Sequence, residues 1–141
     1  MRAAIVILTT LALFNFVSIA GAQRATTDHF GPGEDVNPSF AWDEGASCTL
    51  SDNLGVVLRS DWMKRHWIKV AGKQVELNGE VQMSAEGWFQ TFTASNVTVT
   101  LRLRRVGGEP KGSDGVGMTG DIIITRSGRS TTYRVKGGCG A

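Results

Sequence analysis

The sequence predicts one small all-β domain, an antiparallel barrel or sandwich of about eight short strands closed by a single disulfide. Two observations predict this fold class most directly. Apolar and polar residues alternate without a break over Asn96–Arg104. Similar short segments recur at intervals of about ten residues, separated by turn-forming Gly, Asn, Asp and Ser. The length of 141 residues leaves room for one domain of ordinary size.

The Asn96–Arg104 segment has the most regular strand pattern in the sequence. Successive side chains on a strand point to opposite faces of the sheet. One face of this segment therefore carries Val97, Val99, Leu101 and Leu103, and the other carries Thr98, Thr100, Arg102 and Arg104. We expect the valine–leucine face to lie on the core of a half-buried antiparallel sheet.

The first residues have the pattern of an export signal. Arg2 supplies a positive charge, Ala3–Phe16 is uncharged and mostly apolar, and Ala20-Gly21-Ala22 supplies the small residues needed for cleavage. We therefore predict a signal peptide over residues 1–22 and export to the periplasm or out of the cell. The alternative is an uncleaved membrane anchor, because the run to Ala22 is nearly long enough to span a bilayer. The Ala-x-Ala ending favours cleavage, which leaves no membrane span.

A flexible acidic tether is predicted for residues 23–45. The segment shows neither helical nor strand periodicity, and from Asp28 onward it carries carboxylates without Lys or Arg. Its aromatic residues Phe30, Phe40 and Trp42 either lie against the domain as an arm or contact a partner. The region from Arg102 to Lys136 is basic. The acidic tether and this basic region either attract each other or are two separate solvated surfaces.

The ordered domain is predicted to occupy residues 46–141. Its strands are, in order, Ser47–Ser51, Leu54–Ser60, His66–Val70, Gln74–Asn78, Gly87–Ala94, Asn96–Arg104, Asp121–Arg126 and Ser130–Lys136. Turn chemistry separates them, with Asp52-Asn53 and Gly55 after the first strand, Ala71-Gly72 after the third and Ser127-Gly128 before the last.

Three local features of this domain are less regular. In the second strand, Leu54, Val56 and Leu58 are expected on one side. Val81–Glu86 is ambiguous and could hold one helical turn. Gly107–Gly120 is predicted to be a flexible connection because of its many glycines.

Cys48 and Cys139 are predicted to form a structural disulfide. Export would place them in an oxidising compartment, and two cysteines allow only one pairing. The bridge would close a loop of 91 residues and contribute on the order of 4.5 kcal/mol in the chain-entropy treatment. The alternatives are a free reactive thiol and a metal site, but a nucleophilic Cys needs a nearby His and a metal needs more ligands than this chain clusters.

No catalytic site, metal site or cofactor is predicted. Residues Gly115–Gly120 spell G-x-G-x-x-G, but the dinucleotide motif leads into a helix and these glycines lead into the strand Asp121–Arg126. His29 lies in the predicted tether, and His66 is expected at the surface beside Arg65. A Ser-His-Asp site built on His66 stays open as an alternative, because such sites assemble in space.

The first candidate for ligand binding is the connection Trp62–Trp67. Trp62 and Trp67 flank a basic stretch that includes Lys64 and Arg65, and this mixture could stack on a sugar or an anionic ligand. The alternative is that Trp67 and Trp88 close the ends of a small core while Trp62 covers its rim.

Arg102 and Arg104, on the polar face of the Asn96–Arg104 strand, form the second candidate site. Their alternative is an ordinary solvated face, so binding is placed first at Trp62–Trp67. Asn96-Val97-Thr98 also spells an N-glycosylation sequon, whose use depends on export through a eukaryotic secretory pathway.

Part of the domain resembles the small exported inhibitors of C-type lysozymes made by bacteria. The resemblance rests on Cys48, the hairpin segment Ile68–Leu77 and Cys139, and it implies a compact β-barrel with a Val-x-Gly-Lys-like hairpin. The inhibitory Ser-Gly-x-x-Tyr loop of that family would fall near Ser84–Trp88, which departs from it. No site residue is therefore carried over.

These observations predict a non-enzymatic exported binding protein whose partner is a protein or a glycan of the cell envelope or exterior. An inhibitor of an extracellular hydrolase such as lysozyme is the first alternative, and a small hydrolase using His66 is the second. Nucleic acid is not an expected partner, because an exported chain with a net charge of +2 lacks the charge excess of such proteins.

Overall fold

The structure is a computed structural model that describes residues 28–34, 36, 47–107 and 115–140. The predicted signal peptide, Phe40 and Trp42 lie outside these residues. The strands are β1 (Ser47–Ser51), β2 (Val56–Ser60), β3 (Arg65–Val70), β4 (Lys73–Asn78), β5 (Gly87–Ala94), β6 (Val97–Val106), β7 (Val116–Arg126) and β8 (Arg129–Gly140). The all-β prediction is confirmed.

All the strands belong to one sheet of 8 strands in the order β4-β3-β2-β1-β8-β7-β6-β5. Every neighbouring pair is antiparallel. Pairing of the first strand with the last curls the sheet into a nearly closed barrel, whose open seam lies between β4 and β5. The predicted barrel is confirmed, and the sandwich alternative is not adopted.

The core of the barrel is organised as the alternation in β6 predicts. Val97, Val99, Leu101 and Leu103 are all buried, whereas the threonines and arginines between them are partly or fully exposed. The β6 strand has hydrogen-bonded neighbours on both sides, β5 and β7. Its apolar face therefore packs inside the barrel with the buried side chains of the other strands, among them Leu50, Ile68, Leu77, Trp88, Ile122 and Val135.

Cys48 and Cys139 form the predicted disulfide. They stand directly opposite each other in the β1–β8 ladder, and both are buried in the main core. The bridge therefore fastens the pairing that closes the barrel.

The connections between strands alternate between the two ends of the barrel, because consecutive strands are antiparallel. One end, which we call the Trp62 end, carries the connections at residues 61–64 and 79–86. The other, which we call the hairpin end, carries the turns at residues 52–55, 71–72, 95–96 and 127–128.

Residues 28–34 and 36, which we call the arm, contact the outer surface of the barrel. Phe30 forms a bridge with Val56, and Phe30 and Val36 bury Trp67 in a second hydrophobic cluster. The Glu34 carboxylate accepts a 2.8 Å hydrogen bond from Lys69 Nζ, and this bond holds the pKa of Glu34 below its usual value. The arm is the part of the predicted tether that the structure describes, and Phe30 lies against the domain.

The second strand differs from its prediction. Leu54, Val56 and Leu58 do not share one side as expected, because Leu54 is 76% exposed, Val56 packs in the second hydrophobic cluster and Leu58 packs in the main core. Asp52 Oδ1 accepts hydrogen bonds from the backbone N–H groups of Leu54 and Gly55, so Leu54 belongs to a turn. The register shift between β1 and β2 then brings the neighbouring residues Val57 and Leu58 both into the core.

Two connections also differ from their predictions. β7 begins at Val116, because Val116 pairs with Cys139 of β8 and residues 117–120 pair with β6 on one side and β8 on the other. The last part of the predicted flexible loop Gly107–Gly120 is therefore a strand. The segment Val81–Glu86 contains no helical turn and instead forms an isolated bridge between Met83 and Trp88.

Candidate functional site

The Trp62 connection is a tight turn held by one carboxylate. Asp61 Oδ1 accepts hydrogen bonds of 2.8, 3.0 and 2.9 Å from the backbone N–H groups of Met63, Lys64 and Arg65. Trp62 has a positive φ of 59°, and its backbone N–H donates a hydrogen bond to Ser60 Oγ. Hydrogen bonds to Ser60 and Asp61 therefore fix the geometry of this connection.

The aromatic side chains of this connection do not form one exposed cluster. Trp62 packs edge-to-face on Trp88, with ring centroids 5.5 Å apart, and covers the rim of the core. Trp67 is 0% exposed and lies on the outer face of the sheet beneath Phe30. The alternative described above for Trp62 and Trp88 is what the structure shows.

The basic side chains of the same connection also diverge. Arg65 forms a bidentate salt bridge with Glu76, and both N···O distances are 3.1 Å. The Arg65 guanidinium also lies 5.1 Å from the centre of the Trp67 ring. The hydrogen bond to Glu76 raises the pKa of Arg65, and the same bond lowers the pKa of Glu76. Among the predicted site residues of this connection, Lys64 alone is exposed.

His66 is buried, so its expected surface position is wrong. Its side chain is 0% exposed and packs between the rings of Trp88 and Phe92. Nε2 lies 2.8 Å from the carbonyl oxygen of Gly79, which can only accept, so Nε2 carries the proton and donates it. Nδ1 then accepts a 2.7 Å hydrogen bond from the Ser60 hydroxyl.

The Ser60–His66 pair connects β2, β3 and the segment after β4 inside the barrel. Both side chains are fully enclosed, and both nitrogens of the imidazole are engaged. Burial lowers the pKa of His66, although the Gly79 hydrogen bond and the nearby Asp61 charge oppose that shift. The neutral imidazole is the form that the barrel accommodates, and a hydrolase built on His66 would need the core to open.

The lowered pKa of His66 predicts acid destabilisation. In the unfolded chain the His66 imidazole binds a proton near pH 6.5, whereas in the folded chain it does so only at lower pH. The contribution of His66 to the unfolding free energy is therefore fully present above pH 6.5 and is lost as the pH falls below it. We expect the unfolding free energy to decrease by up to about 1.4 kcal/mol per pH unit below pH 6.5. Urea titrations from pH 7.5 down to pH 5 measure this loss.

His66→Gln is the informative variant, because an amide can still donate toward Gly79 but does not titrate. It should be less stable at pH 7.5 and should lose most of the slope below pH 6.5. His29→Gln changes the other histidine, which bonds to Asp52 on the arm side, and serves as the control. An unchanged slope in His66→Gln would show that another group causes the acid sensitivity.

Arg102 and Arg104 lie on a larger basic surface of the barrel. The strand registers place Phe89, Arg102, Asp121 and Arg134 in one row across β5–β8. The next row contains Gly87, Arg104, Thr119 and Lys136. We call the side chains of Phe89, Arg102, Arg104, Arg134 and Lys136 the basic face. All of them are exposed, and Asp121, which pairs with Arg134, is the carboxylate in these two rows.

A groove of about 420 Å³ adjoins one end of the basic face. It is lined by Gln82, Phe89, Gln90, Thr91, Thr100, Leu101 and Arg102. Gln90 is held by hydrogen bonds to Trp88 Nε1 and to the carbonyl of Glu80. The Thr91 and Thr100 hydroxyls are 3.1 Å apart. The groove thus combines an exposed aromatic ring, one cation and fixed amide and hydroxyl groups.

Sequence reasoning found Arg102 and Arg104 but missed Phe89, Arg134 and Lys136. The alternation in each strand indicates which side chains face outward, and a hairpin register between β5 and β6 would have placed Phe89 beside Arg102. Arg134 and Lys136 join the face through the pairing of β7 with β6 and β8. β6 and β7 are not joined by a tight hairpin, so the sequence does not give the register that aligns Asp121 with Arg102. Thr119, which links Arg104 with Lys136, lies in the part of β7 that was predicted to be a loop.

Within the described ranges, no group of three or more His, Cys, Asp or Glu side chains is placed to hold a metal ion. The same part of the chain contains no helix long and apolar enough to cross a membrane. Comparisons with protein-family models, curated proteins and solved structures found no match. They add no support to the resemblance to lysozyme inhibitors.

Proposed function

We propose that the chain is an exported, non-enzymatic binding protein whose basic face takes an acidic glycan of the cell envelope or exterior. The observation that carries this proposal is the exposed pair of Phe89 and Arg102. They are directly opposed on β5 and β6, and Phe89 is 43% exposed. The pair places an accessible aromatic face directly beside a guanidinium, and these are the two groups that stacking on a sugar and pairing with its acid group require.

The chemistry of the groove fits a sugar acid. The Phe89 ring offers a flat apolar surface for the C–H face of a pyranose. Arg102 can bind a carboxylate or sulfate with two parallel hydrogen bonds. The amide of Gln82 and the hydroxyls of Thr91 and Thr100, which line the same groove, can meet sugar hydroxyls.

The layout of the cations fits an extended polymer. Side chains two residues apart on a strand are about 7 Å apart, and neighbouring strands are about 4.8 Å apart. Arg102 and Arg104 therefore extend the site along β6, while Arg134 and Lys136 widen it across the sheet. A shallow, broad surface of repeated cations supports binding of a repeating anion more than of a compact small molecule.

Export and the lack of an enzymatic site are part of the same proposal. The pattern of residues 1–22 and the buried disulfide Cys48–Cys139 support an oxidising location. His66, which the hydrolase alternative would use, is enclosed in the core.

Phe89→Ala and Arg102→Ala are each expected to weaken binding to polygalacturonate by about tenfold, because each removes one contact of a central pair. Binding should also weaken as salt is raised, since exposed charges are screened. Affinity electrophoresis or surface plasmon resonance with immobilised polygalacturonate measures both effects, with neutral dextran as the reference polymer.

Lys64→Ala is the matched comparison, because it also removes one exposed positive charge but lies in the Trp62 connection. It should change the affinity less than twofold. An equal loss in Lys64→Ala and Arg102→Ala would move the site to Trp62–Trp67, the first candidate from the sequence. Equal binding to dextran and polygalacturonate, or capture of a protein through Arg102 without any glycan binding, would contradict the acidic-glycan proposal.

A further inference from the structure

The hairpin end of the barrel holds a carboxylate from the arm. Asp28 Oδ1 accepts a 2.9 Å hydrogen bond from the backbone N–H of Ala71, in the turn between β3 and β4. Asp28 Oδ2 accepts a 2.5 Å hydrogen bond from the hydroxyl of Tyr133 on β8. Two donors from opposite sides of the barrel therefore converge on one carboxylate.

A cavity of about 240 Å³ lies beside this carboxylate. It is lined by Asp28, Val70, Ala71, Ile124, Arg126, Arg129 and Thr131. A second groove of about 260 Å³ shares Val70, Ala71 and Arg126 with it and continues along Val75 and Val97 toward the seam between β4 and β5. We call the two together the mouth. Its lining joins buried apolar side chains, such as Val97 and Ile124, to exposed polar ones, a mixture found in ligand pockets.

The charge of the mouth is strongly one-sided. Arg126 and Arg129 face each other across the β7–β8 hairpin, and Lys73 lines the adjoining groove. All three side chains are exposed. Asp28 is the one carboxylate lining either cavity, and among the described residues no ion pair involves Arg126 or Arg129. The mouth is therefore complementary to an anion that binds beside Asp28 or in its place.

We propose that the mouth is a binding site for an amphipathic carboxylic acid and that Asp28 occupies its carboxylate position within the same chain. The carboxylate of the ligand takes the donors Ala71 N–H and Tyr133 O–H and gains Arg126 and Arg129. The apolar body of the ligand lies on Val70, Val97 and Ile124. This site is separate from the basic face on the outer surface of β5–β8.

The Tyr133 hydroxyl and the Ala71 N–H both act as hydrogen-bond donors, as a carboxylate ligand requires. Burial, together with the hydrogen bond to Asp28, raises the pKa of Tyr133 far above its usual value, so the phenol keeps its proton and remains a donor. The Ala71 N–H is presented by a turn whose residues Ala71 and Gly72 have φ of 51° and 76°. This two-residue turn is fixed by the β3–β4 ladder.

Release of Asp28 does not require the rest of the arm to leave. His29 Nε2 lies 2.8 Å from Asp52 Oδ2, and Phe30 N–H donates to the carbonyl of Val56. Glu34 is paired with Lys69 further along. Because these contacts hold the arm independently, Asp28 can exchange for an external carboxylate while the second hydrophobic cluster stays formed. Because the Asp28 carboxylate already occupies the position, it lowers the apparent affinity for an added carboxylate ligand.

Titration with phenylacetate, followed by two-dimensional amide NMR, tests the proposal. Asp28→Ala is expected to bind phenylacetate about tenfold more tightly than the unaltered protein, because the competing carboxylate is gone. Shifts should centre on Ala71, Val97 and the β7–β8 turn. Glu86→Ala removes one exposed carboxylate at the Trp62 end and should leave the affinity unchanged. Phenylacetamide, which has the same ring without the charge, should bind at least tenfold more weakly than phenylacetate to Asp28→Ala.

Adding Arg126→Gln and Arg129→Gln to Asp28→Ala should abolish the gain, and the NMR spectrum of this variant reports directly that it is folded. The proposal is overturned if Asp28→Ala binds no more tightly than Glu86→Ala. It is equally overturned if phenylacetamide binds as well as phenylacetate, or if the shifts lie on the basic face. These outcomes do not depend on Phe89 or Arg102, so they are independent of the glycan proposal.

Discussion

Gly137→Ala is expected to destabilise the barrel by about 3 kcal/mol or more, and so to remove much of its net stability. A Cβ atom at Gly137 would lie 1.9 Å from the carbonyl oxygen of Thr49 and 3.1 Å from Cα of Leu50. Both atoms belong to the backbone of β1, which cannot move aside without breaking the ladder that closes the sheet. Circular dichroism and urea unfolding measure the loss.

The neighbouring Gly138 provides the matched control, because a Cβ there would meet nothing within 4 Å. Gly138→Ala has the same change in composition on the same strand. We expect it to alter the unfolding free energy by less than about 0.5 kcal/mol, or to raise it slightly through a less flexible unfolded chain. Similar stabilities for the two variants would mean that β8 does not approach β1 as closely at Gly137 as described.

Removal of the disulfide is the second large expected effect. Cys48 and Cys139 are separated by 91 residues, and releasing a loop of that length costs about 4.5 kcal/mol through the entropy of the unfolded chain. Cys48→Ala combined with Cys139→Ala should therefore lower the unfolding free energy by at least about 4 kcal/mol. Urea unfolding at neutral pH measures it, in the purified variant and in the unaltered protein.

The unaltered protein in excess dithiothreitol is the control for this variant. Reduction leaves both sulfur atoms in the core, so it should cost somewhat less than the double substitution, which also removes buried sulfur contacts. A loss below about 1 kcal/mol in both samples would show that the bridge adds little to a barrel already closed by the β1–β8 ladder.

Most of the fold could be predicted because the strands carry their own local signals. The alternation in Asn96–Arg104 gave a strand whose four apolar side chains are all buried, as found in β6. Ser47–Ser51 and Gly87–Ala94 were predicted with the boundaries of β1 and β5. These segments combine β-branched or aromatic residues with a turn signal at each end, so local propensity and tertiary pairing agree.

The errors in the fold have two physical origins. Val116–Gly120 contains two glycines and a threonine and resembles a loop, but residues 117–120 lie between β6 and β8, which supply strand partners on both sides. That pairing is long-range and is not encoded within the segment itself. The error at Leu54 is local, because Asp52 Oδ1 accepts hydrogen bonds from the N–H groups of Leu54 and Gly55 and so extends the turn past Leu54.

The candidate site was harder to predict because β3 does not show a simple apolar–polar alternation. His66 points inward and Trp67 outward, the reverse of what polarity alone favours. The inward position of His66 depends on Ser60 and Gly79, and the burial of Trp67 depends on Phe30 and Val36 in the arm. A sequence without spatial pairing gives no sign of these partners, so Trp62–Trp67 resembled an exposed cluster.

The order of the strands also has a consequence for how the chain reaches this structure. Every pairing in the sheet joins strands consecutive along the chain, except the pairing of β1 with β8. The four-stranded units β1–β4 and β5–β8 can therefore form from local hairpins, each with a low contact order. Bringing Ser47 to Gly140 requires closure of a loop spanning the whole domain, which is the entropically expensive step. Oxidation of Cys48 with Cys139 keeps that loop closed even in the unfolded chain, so the oxidised chain would refold from a ring whose slowest encounter has already taken place.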